Sequence, residues 1–143
     1  MTPEQIRLVQ DSWRTVQRTN QPSAPRIAGL FYSRLFALDP SVRKLFRAGL
    51  EEQGRKLVSM ISMAVGSLTR LDIIVPAVQD LGRRHAGYGV EEHHYTVVGA
   101  ALVWTLEQEL NHHFTPDVEQ AWRAAYHVLA TTMKQAAAQQ ENA

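Results

Sequence analysis

The sequence predicts an all-α fold in a single domain spanning residues 1–143, and three observations support it. Apolar residues recur every three or four positions along most of the chain, which is the spacing of one helix face. Thr2–Pro3 and Thr115–Pro116 are typical helix starts, because the hydroxyl caps the helix and proline fits its first turn. Strand-like alternation and internal repeats are not apparent. We therefore expect six to eight helices around one core.

The predicted helices in the first half are separated by short interruptions. Thr2 and Gln5 can form a capping box at the start of the first helix. Residues 20–25 interrupt the pattern before a second helix, which ends at Asp39–Pro40. A tight corner then leads to a third helix from about Glu51.

The helices predicted in the second half differ in length. A break at residues 69–72 precedes a shorter helix that ends at Gly87. A long helix runs from about Glu91 to Asn111, and the last one is expected to fray from Gln135 onward. Such unequal lengths favour an irregular packing over an equal four-helix bundle.

Composition and charge exclude several classes of protein. Hydrophobic residues make up 45% of the chain and charged residues 20%, as in soluble globular domains. The net charge is +1 and the basic residues are scattered, so neither nucleic acid nor an anionic membrane is an expected partner. Cysteine is absent, which excludes disulfides, thiol catalysis and iron–sulfur clusters. With no signal peptide or membrane-spanning stretch apparent, we expect a cytoplasmic protein.

His85 is the most informative polar residue in the sequence. Val75, Val78, Leu81 and Tyr88 share its predicted helix face, with spacings that include three, four and seven. The pattern indicates that the imidazole points into the core. A histidine in such a place is usually a core residue bonded to the backbone, and a metal ligand is the alternative.

Longer segments around His85 resemble globins. Residues 81–90, followed by His94–Tyr95 and Val98–Gly99, are similar to the proximal histidine region of that family. The resemblance is strongest to the haem domain of flavohaemoglobins, to its single-domain bacterial relatives and to neuroglobin. Further matching segments are residues 31–36, 39–40 and 45–46 for the second helix and its corner, 53–57 for the distal helix and 121–126 for the last helix.

The resemblance implies a globin fold around a haem b pocket. It makes His85 the iron ligand and Phe46 the aromatic on the haem face, and it places Tyr32 and Gln53 at the distal side beside Leu57. A phenol and an amide there can hydrogen-bond a gas ligand and slow its escape. The full set of haem-contacting residues that it implies is Tyr32, Phe46, Gln53, Lys56, Leu57, Leu81, Arg84, His85, Val90, Tyr95, Val98 and Tyr126.

Plainer roles stay open for several of these residues. Tyr32 could be a core aromatic whose hydroxyl meets the backbone, and Gln53 and Lys56 could be solvated helix residues. Lys56 could also reach a haem propionate. His93 and His94 are interpreted as residues of a first helical turn, without metal-ligand spacing.

The proximal side departs from the flavohaemoglobin pattern. Tyr95 matches a tyrosine that contacts and orients the proximal histidine, but the glutamate that completes that network aligns with Ala137. Without the carboxylate, the histidine should donate less electron density to iron. The departure favours reversible binding over peroxide-type activation.

Three functions remain open at this point. The first is a haem globin that binds oxygen, nitric oxide or carbon monoxide. The second is a nitric oxide dioxygenase, which would need a separate reductase because no dinucleotide-binding fingerprint is present in this chain. The third is a non-haem, globin-like interaction or sensor module, against which His85, Phe46, Tyr32 and Gln53 together argue.

Overall fold

The computed structural model describes residues 1–19, 23–46 and 49–141, which form six α-helices and no strand. The helices are α1 (Pro3–Arg18), α2 (Ser23–Leu38), α3 (Leu50–Gly66), α4 (Leu71–Gly87), α5 (Glu92–Leu110) and α6 (Pro116–Glu141). Short 3-10 turns lie at Pro40–Leu45, Leu68–Arg70 and Asn111–His113. The all-α prediction is confirmed.

Capping hydrogen bonds are present at both predicted helix starts. The Gln5 N–H donates to Thr2 Oγ1 at 3.1 Å and the Thr2 N–H donates to Gln5 Oε1 at 3.0 Å, which completes the capping box. The Val118 N–H donates to Thr115 Oγ1 at 3.2 Å. Of the predicted interruption at 20–25, residues 20–22 lie outside the described ranges. Residues 23–25 form the first turn of α2, where a proline is tolerated.

Two length predictions were wrong. Helix α4 is 17 residues long, as long as α3, because it begins at Leu71 directly after the 3-10 turn. Pro76 lies inside it and removes one backbone hydrogen bond without ending the helix. Helix α6 continues to Glu141 instead of fraying from Gln135. Alanine and glutamine are good helix formers, and Ala136 is buried at 2% exposure.

The core consists of two groups of buried side chains. The first lies among α1, α3, α5 and α6 and centres on Trp13 and Trp122, whose rings meet edge to face at 6.0 Å. Both indole N–H groups are satisfied, by Ser62 Oγ at 3.1 Å and Ser12 Oγ at 2.8 Å. The second group joins α2, the turn at Pro40–Leu45 and α5. It contains Tyr32 and therefore borders the candidate site.

Two glycines allow close helix crossings beside predicted site residues. A Cβ atom on Gly82 would lie 2.4 Å from the Met133 carbonyl oxygen, so α4 rests directly on the backbone of α6. A Cβ atom on Gly54 would lie 2.6 Å from the Ala28 Cβ, where α3 crosses α2. His85 follows Gly82 by three residues, so this crossing sets the position of its helix turn.

Membrane-spanning potential is limited to one bent pair of helices in the described ranges. No single helix there is long and apolar enough to cross a membrane. Leu50–Gly66 and Leu68–Gly87, which meet at 59°, pass the test together by length and composition only.

Replacing Gly82 with alanine should lower the free energy of unfolding by about 1–3 kcal/mol, because the added methyl group must displace backbone of α6. Gly29→Ala is the matched control, since nothing lies within 4 Å of its added Cβ. That control should leave stability unchanged or raise it by about 0.5–1 kcal/mol. Urea unfolding measures both. A Gly82→Ala protein as stable as the parent would contradict the described crossing.

Candidate functional site

His85 lies near the end of α4 with one ring nitrogen engaged and the other free. Its Nδ1 lies 2.7 Å from the Leu81 carbonyl oxygen, which can only accept a hydrogen bond, so Nδ1 carries the proton. Burial lowers the pKa of His85; the Leu81 bond opposes this shift and the Arg84 charge adds to it. The imidazole is therefore neutral near pH 7, and its Nε2 lone pair is available to a metal.

The chain reverses immediately after His85. The Val90 N–H donates to the His85 carbonyl oxygen at 3.0 Å, and Gly89 has a φ of +93°, which favours glycine. Tyr88 was predicted to share the face of His85, and its ring centre does lie 6.3 Å from that of His85, but the prediction that this face points into the core is wrong for Tyr88. Because the helix ends at Gly87, the Tyr88 side chain turns outward and is 62% exposed.

Four of the predicted haem-contacting residues pack together in the second core group. Tyr32 is 7% exposed, and its ring lies edge to face with Phe46 at 5.2 Å. Leu57 and Val98 are half-buried against the same group. Two helices, the corner turn and the start of α5 thus bring these four residues together.

The Tyr32 hydroxyl has no hydrogen-bond partner among the described residues. The plainer role, a core tyrosine bonded to the backbone, is therefore not what the structure has. Burial raises the pKa of Tyr32 to about 12, so the phenol stays a proton donor at neutral pH. Gln53 precedes Gly54 and is half-buried, and its amide likewise has no partner in the described part of the chain.

A surface cavity of about 560 Å³ reaches Tyr32 between α2 and α3. Apolar and small residues form most of its wall, and Arg43 and Arg55 also line it. Its lining includes neither His85 nor Gln53. The cavity is therefore a space beside Tyr32 that does not reach the predicted iron ligand.

Two of the predicted haem contacts, Lys56 and Arg84, form ion pairs at the surface. Lys56 Nζ lies 3.6 Å from Glu52 Oε1, and the lysine side chain is 67% exposed. Arg84 Nε donates to Asp80 Oδ2 at 2.9 Å, with 62% of the arginine side chain exposed. Pairs of this kind contribute little to stability. The exposure of Lys56 agrees with the solvated role that the sequence left open, and its haem contact stays a prediction.

Tyr95 and Tyr126, which the resemblance places among the haem contacts, are linked to each other. The Tyr126 hydroxyl donates to the Tyr95 carbonyl oxygen at 2.6 Å, which ties α6 to α5. Lys134 Nζ lies 5.9 Å from the centre of the Tyr95 ring, within cation–π range. The ring bond of His85 goes to Leu81, so a backbone carbonyl and not the Tyr95 hydroxyl fixes its tautomer. Sequence reasoning missed Lys134, whose role depends on a contact between distant helices.

Sequence reasoning also misjudged His94. It is 8% exposed, and its Nδ1 accepts a hydrogen bond from the Glu91 N–H at 2.8 Å. Asp39, His93 and His94 each place one potential ligand atom within 4.8 Å of the others, so the expectation of no metal-ligand spacing was wrong. The available signal was the pair of helix starts at Asp39 and Glu91, but only the fold brings these together.

Comparison with known proteins identifies the family. The family model described as Globin matches residues 29–133, which is most of the chain. The chain belongs to the globin family. Globins hold haem and take gaseous ligands on its iron, so this protein is a haem-binding, gas-binding globin.

The similar proteins agree with the resemblance found in the sequence. A flavohemoprotein of Bacillus subtilis is 31% identical over 113 residues, covering 77% of this globin but only 28% of that protein. A neuroglobin of Danio rerio is 26% identical over 140 residues, covering 88% and 86% of the two chains. This globin therefore spans less than a third of the flavohemoprotein that it matches.

Solved structures of similar length match the whole fold. A bacterial globin from Campylobacter jejuni superposes with a TM-score of 0.83 at 26% identity, covering 99% of this globin and 100% of that chain. A Rhodothermus marinus protein, engineered as a carbene transferase from a candidate nitric oxide dioxygenase, has a TM-score of 0.86 at 27% identity. The coverage is 99% and 96%.

The free energy of unfolding should depend on pH in the alkaline range because Tyr32 is a buried phenol. The pKa of Tyr32 rises from about 10 in the unfolded chain to about 12 in the fold, so its contribution to stability is full below pH 10 and is lost as pH rises through 12. Burial also raises the pKa of Tyr126. Tyr32→Phe should therefore lose less stability than the parent between about pH 10 and about pH 12.

Urea unfolding at a series of pH values in this window measures the difference. Tyr88→Phe is the control, because its side chain is 62% exposed and should follow the parent protein. Identical pH dependence in all three proteins would mean that Tyr32 is not a buried phenol.

Proposed function

We propose that this globin binds oxygen reversibly at a haem b whose iron is held by His85 Nε2. The observation that carries the proposal is the bond between His85 Nδ1 and the Leu81 carbonyl oxygen, at 2.7 Å. It holds the proton of the neutral ring on Nδ1 and leaves Nε2 unprotonated, with a lone pair of the kind that haem iron takes in globins. When bound, haem would supply an iron that can take a diatomic gas as a ligand.

The remaining residues would hold the group and its ligand. Phe46, Leu57 and Val98 offer apolar surface beside Tyr32, and these four side chains already pack in one group. Leu81 and Val90, both half-buried, flank His85 along the chain. The haem contacts assigned to Tyr95 and Tyr126 remain proposals, as does that of Arg84.

Tyr32 and Gln53 are the proposed distal donors. A phenol that stays protonated and makes no bond with the described residues can donate to a polar gas ligand without giving up a native partner. The side-chain amide of Gln53 can donate in the same way. Two such donors favour oxygen over carbon monoxide, because oxygen is the better hydrogen-bond acceptor when bound.

The proximal electrostatics favour reversible binding. Ala137 offers no carboxylate, and the charged group on the Tyr95 ring is the Lys134 ammonium. A cation there opposes negative charge on the proximal ligand, so His85 donates less electron density than it would beside a glutamate. Weak donation disfavours oxygen–oxygen cleavage.

Nitric oxide dioxygenation is the second candidate. It is favoured by the match to the Rhodothermus marinus chain over nearly its full length and by the two free distal donors. The reaction needs electrons, which we propose come from a separate reductase. Sustained nitrate formation with an added reductase would support the enzyme, whereas a single turnover of the reduced, oxygenated protein would support the carrier. A cytoplasmic location and a bacterial source stay predictions.

His85→Gly should retain little haem after gel filtration, because the ligand nitrogen is lost, and free imidazole should restore haem binding by filling the vacated space. Absorption in the Soret region measures retained haem, and circular dichroism checks that the helices persist. His127→Ala is the control, since His127 is exposed on α6. Full haem retention in His85→Gly without imidazole would exclude His85 as the ligand.

Tyr32→Phe should accelerate oxygen release by about 5- to 150-fold, which corresponds to losing a hydrogen bond of about 1–3 kcal/mol. Stopped-flow displacement of oxygen by carbon monoxide measures the rate. Tyr88→Phe should release oxygen at the parent rate, because Tyr88 faces solvent. An unchanged rate in Tyr32→Phe would remove this residue from the distal role.

A further inference from the structure

We propose that Asp39, His93 and His94 form a second metal site, for a divalent transition-metal ion such as Zn²⁺. One potential ligand atom from each residue lies within 4.8 Å of the other two. The cluster contains none of the residues assigned to the haem. It lies where the chain enters the turn at Pro40–Leu45 and where α5 begins.

Asp39 offers a carboxylate that is already fixed in place. Its Oδ1 accepts hydrogen bonds from the Ser41 N–H at 3.1 Å and from the Ser41 hydroxyl at 2.5 Å. Its Oδ2 has no hydrogen-bond partner among the described residues. The side chain is thus oriented by one oxygen and can present the other to a cation.

The two imidazoles lie side by side at the start of α5. Their ring centres are 4.1 Å apart, with His93 60% exposed at its side chain and His94 buried. His93 Nδ1 also lies 3.5 Å from Glu91 Oε2. One ligand is therefore rigid and one can rotate, so modest movement of His93 can close the coordination sphere.

Coordination by His94 has a definite structural consequence. Its Nδ1 now accepts from the Glu91 N–H, so the ring proton is on Nε2. A neutral imidazole has only one lone pair, so a metal bond to His94 replaces the bond to Glu91. The metal therefore competes with the hydrogen bond from the Glu91 N–H to His94 Nδ1 that caps α5. Binding would replace this bond with a link between α5 and the turn at Pro40–Leu45.

The donor set indicates which ions fit. Imidazole nitrogens favour Zn²⁺, Cu²⁺ and Ni²⁺, whereas Mg²⁺ and Ca²⁺ prefer oxygen alone. The carboxylate of Asp39, with Glu91 nearby, offsets the charge of a divalent ion. A metal bound here would connect the turn at Pro40–Leu45, which leads to Phe46, to α5, which carries Tyr95 and Val98. Metal binding would therefore act on residues proposed to contact the haem.

Titration calorimetry of the haem-loaded protein with zinc chloride tests the proposal. Asp39→Asn keeps an oxygen for Ser41 but loses the charge, and His93→Ala removes the exposed ligand; each should weaken zinc binding at least about tenfold. The control is His112→Ala/His113→Ala, which removes the other adjacent pair, also with ring centres 4.1 Å apart. The control should keep the parent affinity.

Two further readouts separate coordination from general surface binding. Zinc should raise the melting temperature of the parent but not of Asp39→Asn, and the Glu91 amide resonance should shift on binding because its partner is lost. Parent affinity in both Asp39→Asn and His93→Ala, or loss of binding only in the His112/His113 control, would overturn the proposal. So would a parent protein that binds no zinc at millimolar concentration.

Discussion

The hydrogen bond between His85 and the Leu81 carbonyl oxygen is the interaction on which the site depends. It determines which ring nitrogen carries the proton, and so which nitrogen can bind a metal. The bond acts within one turn of α4, and Gly82 places that turn directly on the backbone of α6. A helix held at van der Waals limits cannot shift without moving its neighbour, so helix packing fixes the height and the direction of the imidazole.

The two predicted sides of the pocket differ in their hydrogen bonds and in their charge. On the side predicted to be distal, the Tyr32 ring is buried among aromatic residues while its hydroxyl makes no hydrogen bond with a described residue, and burial raises the pKa of the phenol so that it stays a proton donor. On the side predicted to be proximal, His85 Nδ1 is bonded to the Leu81 carbonyl oxygen, the Arg84 charge acts on His85, and Lys134 lies over the Tyr95 ring. Our proposal of reversible gas binding ahead of oxygen activation rests on two donors at Tyr32 and Gln53 that are unpaired within the described ranges, and on the absence of a carboxylate at Ala137.

Local sequence signals predicted the helices and much of the candidate site. Capping boxes and prolines mark helix starts because they act within a few residues, and the apolar spacing around His85 reflects the face that the helix buries. The wrong predictions concern side chains whose position depends on a contact between residues far apart in the sequence. Tyr88 turns outward because the chain reverses after Gly87, and His94 is buried because α5 starts against the turn that Asp39 caps. Neither arrangement is visible in spacing along one helix.

The most direct test of the account is the visible absorption spectrum of the purified protein, reduced without oxygen and then exposed to it. The account predicts a five-coordinate reduced haem, because the described distal side carries Tyr32 and Gln53 and no histidine. Oxygen should convert that spectrum reversibly to an oxygenated one. A six-coordinate reduced spectrum would mean that a side chain of this protein occupies the gas position. Failure to take up haem at all would contradict the assignment of His85.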